Sequence, residues 1–149
     1  MQDSTLAWLT VMRAPQLGAA GMRRAIAACG SVDALLACRE RQLVSFGLAP
    51  ESAAALANPP RALIEADLRW CEDQQVDLLP FTAPDFPAQL AELPDAPALL
   101  LLQGRRELLA APQLAVVGSR TPTAAGRRIA RDLAAQLAAA GLVITSGMA

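Results

Sequence analysis

Two short turns near the end of the chain combine residue types that bind phosphate. One contains Gly118, Ser119 and Arg120, and the other contains Ser146 and Gly147. A glycine lets a ligand approach the backbone because no Cβ intervenes. A serine hydroxyl can donate a hydrogen bond, and an arginine guanidinium can hold a phosphate through two parallel hydrogen bonds. These residue types therefore predict an anion-binding site.

The segments around these turns predict how they are positioned. Residues 114–117 and 142–145 are apolar and partly β-branched, which favours strands, and residues 121–140 between them favour a helix. In a strand–helix–strand unit the two strands run parallel, so both turns lie at the same edge of the sheet. Thr123 is a suitable N-cap, and the free amides of the first helical turn add positive potential at that edge.

Two familiar nucleotide-binding motifs do not fit this pattern. Gly118 and Gly126 are eight residues apart, so the spacing is not that of a dinucleotide-binding fingerprint. The chain has no lysine, which excludes a Walker A motif. A purely structural interpretation stays open, with the glycines in ordinary turns and Arg127, Arg128 and Arg131 on a solvated helix face.

Composition narrows the possible chemistry further. The chain has no histidine, so histidine-based acid–base catalysis and histidine-ligated metals are excluded within it. We predict no catalytic residue, no cofactor and no metal site. Three well-separated cysteines favour reduced intracellular thiols. The longest uncharged stretch, residues 133–149, fits helix, turn and strand rather than a membrane span, and no signal peptide is evident. We therefore expect a cytoplasmic protein with no membrane partner.

Charge is unevenly distributed along the 149 residues. Residues 1–48 carry a net charge of +2, residues 49–99 carry −7, and residues 100–149 carry +4 from six arginines and two acidic residues. The segment with the glycine turns is therefore locally basic, as an anion site would be. The acidic middle segment favours a solvated or inter-domain face.

The rest of the chain divides into a helical part and a mixed part. Turn residues and apolar spacing predict several short helices in the first sixty residues, a longer helix over 61–74, and strands over 76–80 and 98–102, the last of them buried. The predicted helices of the first part are 4–13, 19–29, 32–38, 39–46 and 50–58. We predict a boundary near residue 60, which gives domains over 1–60 and 61–149.

One turn in the helical part resembles a helix-hairpin-helix, a motif that presents backbone amides to DNA phosphates. Gly47 occupies one of its two usual glycine positions, but Ala49 replaces the other. Because this weakens close backbone approach, a structural or protein-contact module is favoured over a strong DNA binder.

The run from Leu114 to Gly126, followed by a helix and Leu-Val-Ile-Thr-Ser-Gly-Met-Ala, resembles the DprA/Smf family of DNA-processing proteins. Asp85-Phe86-Pro87 and the passage from Asp95 to Gly104 resemble the preceding part of that family's signature. The resemblance implies an α+β chain with two parts. The first is a small SAM-like or helix-hairpin-helix bundle, and the second is the incomplete start of a Rossmann-like parallel sheet. The sequence is thus expected to be an N-terminal fragment.

The resemblance also implies a function for the full-length protein. Members bind single-stranded DNA without sequence preference and load the RecA recombinase in natural transformation, and they are not enzymes. Gly118, Ser119 and Arg120 match the family's phosphate pocket, and Ser146 and Gly147 match its opposing loop. Because exposed parallel strand edges invite pairing, we expect a homo-oligomer.

Two alternatives stay open. One is a Rossmann-type nucleotide-processing enzyme resembling the phosphoribohydrolases. The other is a protein-interaction module formed by residues 1–60.

Overall fold

The computed structural model describes residues 2–147, with side chains from residue 5 onward. The chain forms two compact units that divide between Gly104 and Arg105. Both helices and strands are present, so the predicted mixture of α and β structure is confirmed. The SAM-like or helix-hairpin-helix assignment and the Rossmann-like assignment stay predictions.

The first unit contains short helices and one two-stranded ribbon. Its helices are α1 Gln2–Met12, α2 Gly18–Cys29, α3 Val32–Leu36, α4 Glu40–Ser45, α5 Pro50–Ala57, α6 Arg61–Asp73 and α7 Ala88–Ala91. Its strands are β1 Val76–Pro80 and β2 Leu99–Gln103. The second unit contains a 3-10 helix over Arg106–Ala110, then β3 Gln113–Ala115, α8 Ala124–Ala139 and β4 Val143–Thr145.

Local sequence signals explain where the short helices start and end. Gly30 ends α2 with φ of 87°, a left-handed conformation that glycine adopts without strain. Ser31 then caps α3, because its side-chain oxygen accepts a hydrogen bond from the Ala34 amide at 3.0 Å. Pro50 occupies the first turn of α5. Backbone amides there have no hydrogen-bond partner within the helix, so the missing N–H of proline removes no helical bond. These predicted boundaries are confirmed.

Short helices are marginal alone, and here they are stabilised by a shared core. Its fully buried residues include Val11, Ile26, Leu35 and Leu43. Burying each large apolar side chain contributes about 1.5–3 kcal/mol before the entropy cost of ordering is subtracted.

An ion pair links the end of α1 to α6. Arg13 donates from Nε and Nη2 to the two carboxylate oxygens of Asp67, at 2.6 and 2.5 Å. The paired guanidinium holds the pKa of the Asp67 carboxyl below its ordinary value. Helices on both sides of residue 60 thus pack in one compact unit. The domain boundary near residue 60 stays a prediction.

The ribbon of β1 and β2 differs in part from expectation. The strand predicted over 76–80 is found, and it pairs antiparallel with β2, with Leu78 opposite Leu101. The second strand begins one residue later than predicted. It is also only partly buried, because Leu101 remains 46% exposed. The prediction of a fully buried strand was wrong, since a two-stranded ribbon leaves part of its surface uncovered.

The second unit contains the predicted strand–helix–strand arrangement. Strand β3 pairs parallel with β4, with Leu114 opposite Ile144, and α8 connects them. Both strands are shorter than predicted, and α8 begins at Ala124, directly after the predicted N-cap Thr123. The helix cannot start earlier because Thr123 adopts an extended N-cap conformation, with ψ of 158°.

We expect the Arg13–Asp67 pair to make stability depend on acidic pH. The pKa of Asp67 is lower in the folded than in the unfolded chain. Its stabilising contribution is therefore fully present above the ordinary value of 3.8 and is lost as the pH falls through the lowered value. Urea unfolding of the wild type and of Asp67→Asn should give free energies that differ at neutral pH and converge as the pH falls from 3.8 through the lowered pKa.

The matched control is Asp73→Asn, which removes an exposed carboxyl at the end of the same helix. A wild-type advantage over Asp67→Asn that persists unchanged in strong acid would contradict the assigned role of this pair.

Candidate functional site

The loop after β3 is organised by a serine hydroxyl. The Thr121 amide donates to Ser119 Oγ at 3.2 Å, and Ser119 Oγ lies 3.4 Å from Thr121 Oγ1. Such a local side-chain to backbone bond gives a turn a defined shape. When Thr121 Oγ1 is the donor in the contact between the two hydroxyls, the hydroxyl proton of Ser119 is available to a ligand.

The neighbouring loop is aligned with the first by strand pairing. The Val116 amide donates to the Thr145 carbonyl at 2.9 Å, which continues the parallel pairing beyond Ala115. The hydroxyl of Thr145 also donates to Gln113 Oε1 at 2.5 Å. These bonds fix the two strands in register. The residues that follow each strand therefore emerge at the same edge, as the sequence predicts.

The start of α8 contributes a third side of the site. Thr123 Oγ1 accepts from the Gly126 amide at 3.0 Å, and this confirms the predicted N-cap. A Cβ built at Gly126 would approach Thr123 Oγ1 to 3.2 Å, so a side chain there would press on the capping hydroxyl. The glycine thus leaves room for the capping hydroxyl, and a helix N-terminus favours anions.

These three parts surround one cavity of about 520 Å³. Its lining residues come from both loops and from the helix start: Val116, Val117, Gly118, Ser119, Pro122, Gly126, Arg127, Ala130, Ser146 and Gly147. Four of the five predicted site residues are therefore brought together. Arg120, the fifth, is exposed and does not line the cavity.

Arg127 is the cationic residue among the described residues of the lining; it was not among the predicted site residues, and the purely structural interpretation placed it on a solvated helix face. Helical side chains lean toward the N-terminus of their helix, so an arginine four residues after the Thr123 cap reaches back toward the first turn. The four-residue spacing from Thr123 to Arg127 is the sequence signal that could have placed Arg127 beside the cavity. Among the described residues that line the cavity none is acidic, and the unit from Arg105 onward carries a net charge of +4.

The two loop glycines differ from the left-handed turn glycines of this chain in backbone conformation, although a Cβ would meet open space at both kinds of position. A Cβ placed on Gly118 or on Gly147 would meet no atom within 4 Å. Neither Gly118 nor Gly147 has a positive φ, so the backbone conformation does not require glycine at either position. A side chain at either position would extend into open space. The cavity is therefore accessible at both glycines to a ligand that contacts the backbone.

The helix-hairpin-helix-like turn between α4 and α5 has a different geometry. Gly47 has φ of 86°, and its amide donates to Val44, while the Leu48 amide donates to Leu43. These two bonds form a helix-ending motif that uses both amides internally. Leu48 is also buried, at 7% exposure. This geometry favours the structural interpretation of the turn.

Comparisons with known proteins agree on one family. The family described as DNA recombination-mediator protein A matches residues 77–149. The chain is 34% identical over 145 residues to protein Smf of Escherichia coli strain K12, in an alignment covering 95% of this chain and 37% of Smf. It is 32% identical over 78 residues to the DNA processing protein DprA of Bacillus subtilis strain 168, covering 52% of this chain and 26% of that protein. The chain thus spans about a third of the length of these curated relatives.

The matched segments include both glycine-containing loops and α8. Met148 and Ala149, the last two residues of the Ser-Gly-Met-Ala resemblance, lie outside the described residues.

We expect loss of the Thr123 cap to loosen the helix start that borders the cavity. Thr123→Ala removes the acceptor for the Gly126 amide and should cost about 1 kcal/mol of helix stability. Amide hydrogen exchange at Gly126 and Arg127 should then accelerate severalfold. Thr123→Ser keeps an acceptor at the same position and should exchange like the wild type. Equal exchange rates in Thr123→Ala and the wild type would show that the cap does not hold this turn.

Proposed function

Because this chain belongs to the DprA/Smf family of DNA-processing proteins, we propose that it binds single-stranded DNA without sequence preference and, as part of the whole protein, loads the RecA recombinase. The observation that carries the proposal is the cavity formed by Gly118, Ser119, Ser146 and Gly147 against the start of α8. The name DNA recombination-mediator protein A supports a recombinase as partner.

A DNA phosphate suits the chemistry of this cavity. In the proposed complex, one phosphate lies against the backbone at Gly118 and Gly147, where a Cβ would meet open space. Ser119 and Ser146 donate hydroxyl hydrogen bonds to it, and the positive end of α8 adds favourable potential. Arg127, an exposed residue that lines the cavity, supplies a full positive charge beside the phosphate. Charge-assisted hydrogen bonds to an anion are stronger than neutral ones.

Arg120 has a separate place in the proposal. It follows Ser119 directly and is exposed, so its guanidinium can engage the next phosphate along the strand from outside the cavity. Contacts of this kind are made to the DNA backbone rather than to the bases, so they do not depend on the DNA sequence. Aromatic residues make up only 3% of the chain, so base stacking contributes little and affinity should fall steeply with salt.

The proposal assigns binding rather than catalysis to this site, in a cytoplasmic protein that acts as a homo-oligomer. No cofactor or metal takes part in the proposed binding. Within residues 2–147, no helix is both long and apolar enough to cross a membrane. An assay for base release from a nucleoside monophosphate tests the enzymatic alternative directly, and any turnover that depends on Ser119 would overturn the binding-only assignment.

We expect Arg127→Ala to weaken binding to a fluorescently labelled oligodeoxythymidine by about tenfold or more, because it removes a charge-assisted contact inside the cavity. Fluorescence anisotropy titrations at fixed salt measure the loss. The matched control is Arg128→Ala, which removes the same charge from the next residue of α8 and does not line the cavity.

Comparing these two variants distinguishes binding at the cavity from general electrostatic attraction to the helix. Equal losses in Arg127→Ala and Arg128→Ala would mean that DNA follows the net charge of the helix rather than the cavity. Arg120→Ala should also weaken binding, through the neighbouring phosphate. If its affinity is unchanged, Arg120 has no role in binding.

We expect Gly118→Val to abolish most binding while leaving the fold intact. Because a Cβ at Gly118 meets no atom within 4 Å, the valine should be accommodated without unfolding and should occupy the space proposed for the phosphate. Circular dichroism and urea unfolding check the fold, and the same anisotropy titration measures binding. A stable Gly118→Val protein with wild-type affinity would place the DNA elsewhere.

A further inference from the structure

Two cysteines that are nine residues apart in the sequence lie side by side in the first unit. Cys29 is the last residue of α2, and Cys38 follows the end of α3. Their Sγ atoms are 4.0 Å apart. Both side chains are partly buried and pack against the helical core, whereas Cys71 is buried in a second cluster with Leu9 and Ile64.

The turn between α2 and α3 produces this juxtaposition. Gly30 reverses the chain with φ of 87°, and its amide donates to the Ile26 carbonyl at 2.8 Å. Ser31 then starts α3, a helix of five residues anchored by buried Val32 and Leu35. Cys29 therefore ends α2, and Cys38 lies two residues beyond the end of α3, with both helices packed on the core. The proximity of the two thiols is a property of the folded bundle.

We propose that Cys29 and Cys38 are a redox-active pair that forms a reversible intramolecular disulfide when the protein meets a peroxide. One thiolate attacks the peroxide oxygen, the O–O bond breaks, and a sulfenic acid and one water result. The second thiol attacks that sulfur, the S–S bond forms, the S–O bond breaks, and a second water leaves. In total the two thiols lose two protons and two electrons, and hydrogen peroxide is reduced to two waters. A dithiol reductant returns both.

Closing this bond requires a small movement. The sulfurs must approach from 4.0 Å to about 2.05 Å. Cys38 gives up its 3.3 Å hydrogen bond to the Ala34 carbonyl in doing so. Burial, and then the contact with Cys38, raises the pKa of the Cys29 thiol. A protonated, partly buried thiol reacts slowly, so the pair suits sustained oxidation better than rapid thiolate catalysis.

The disulfide would close a ring of ten residues across the joint of α2 and α3. Because the folded bundle holds the two sulfurs close together, the bond should be more stable in the folded than in the unfolded chain. By thermodynamic linkage, the oxidised chain should then resist unfolding more than the reduced one. This role is independent of DNA binding at the glycine-containing loops.

Peptide mapping tests the pairing in the intact chain. After treatment with hydrogen peroxide and alkylation in urea, the three thiols should fall to one, with Cys71 the residue that is alkylated. Trypsin releases residues 25–39 as one peptide containing both Cys29 and Cys38, and this peptide should be lighter by two hydrogen atoms. Cleaving this peptide before Asp33 should give two fragments that stay joined by the disulfide until it is reduced.

An equilibrium with glutathione tests whether the fold favours the bond. The ratio of oxidised to reduced pair should be at least about tenfold higher in the folded protein than in concentrated urea. Cys71→Ser is the matched control and should behave like the wild type, whereas Cys29→Ser and Cys38→Ser should each form no such ring.

Three results would overturn the proposal. They are three alkylatable thiols after peroxide treatment, a disulfide that joins two chains or includes Cys71, and an equal glutathione equilibrium in folded and unfolded chains. The first two are read from the wild type alone, so they do not depend on any variant folding.

Discussion

A parallel pair of neighbouring strands imposes the constraint on which the candidate site depends. Strands that run in the same direction cannot be joined by a tight turn, so a crossover must return the chain to the starting edge. Helix α8 is that crossover between β3 and β4. The loop after β3, the start of α8 and the end of β4 must then lie at one edge of the sheet. Gly118 and Gly147 meet there because of the strand register, although twenty-eight residues separate them.

The same constraint decides which charges can serve the site. Arg127 lies one helical turn beyond the Thr123 cap, and its side chain leans back toward the cavity. Arg128, one residue later, lies on a different side of the helix and does not line the cavity. Because the unit also carries a net charge of +4, the proposed anion would be attracted over a distance and then bound at one place. In the proposed site, attraction by the net charge of the unit and binding by Arg127 are thus separate contributions.

The first unit is stabilised by different means. Its helices α1 to α6 are five to thirteen residues long, and α7 has four residues. Because helices this short are marginal alone, they depend on shared burial and on a few specific contacts. Arg13 and Asp67 join the end of α1 to α6, and Ser52, which is fully buried, donates to the Pro15 carbonyl at 2.6 Å. Buried polar groups that are hydrogen-bonded in this way keep a small core specific. The Cys29–Cys38 pair is positioned by the same packing.

The sequence by itself determined the features that depend on near neighbours. Ser31 and Thr123 were recognised as helix caps and Gly30 as a helix end, because the hydrogen bonds and backbone angles involved span only a few residues. The two glycine-containing loops were found for the same reason. Their residue types indicate anion binding wherever the chain places them.

Only the tertiary structure decided the features that depend on packing between distant residues. It brought Arg127 rather than Arg120 into the cavity, and it left β2 half-exposed in an antiparallel ribbon where a buried strand was predicted. It also placed Cys29 and Cys38 within 4.0 Å. Distances of this kind follow from how helices and strands pack. Residue spacing limits them but does not fix them, because the same short elements can be arranged in more than one way until their apolar faces are buried together.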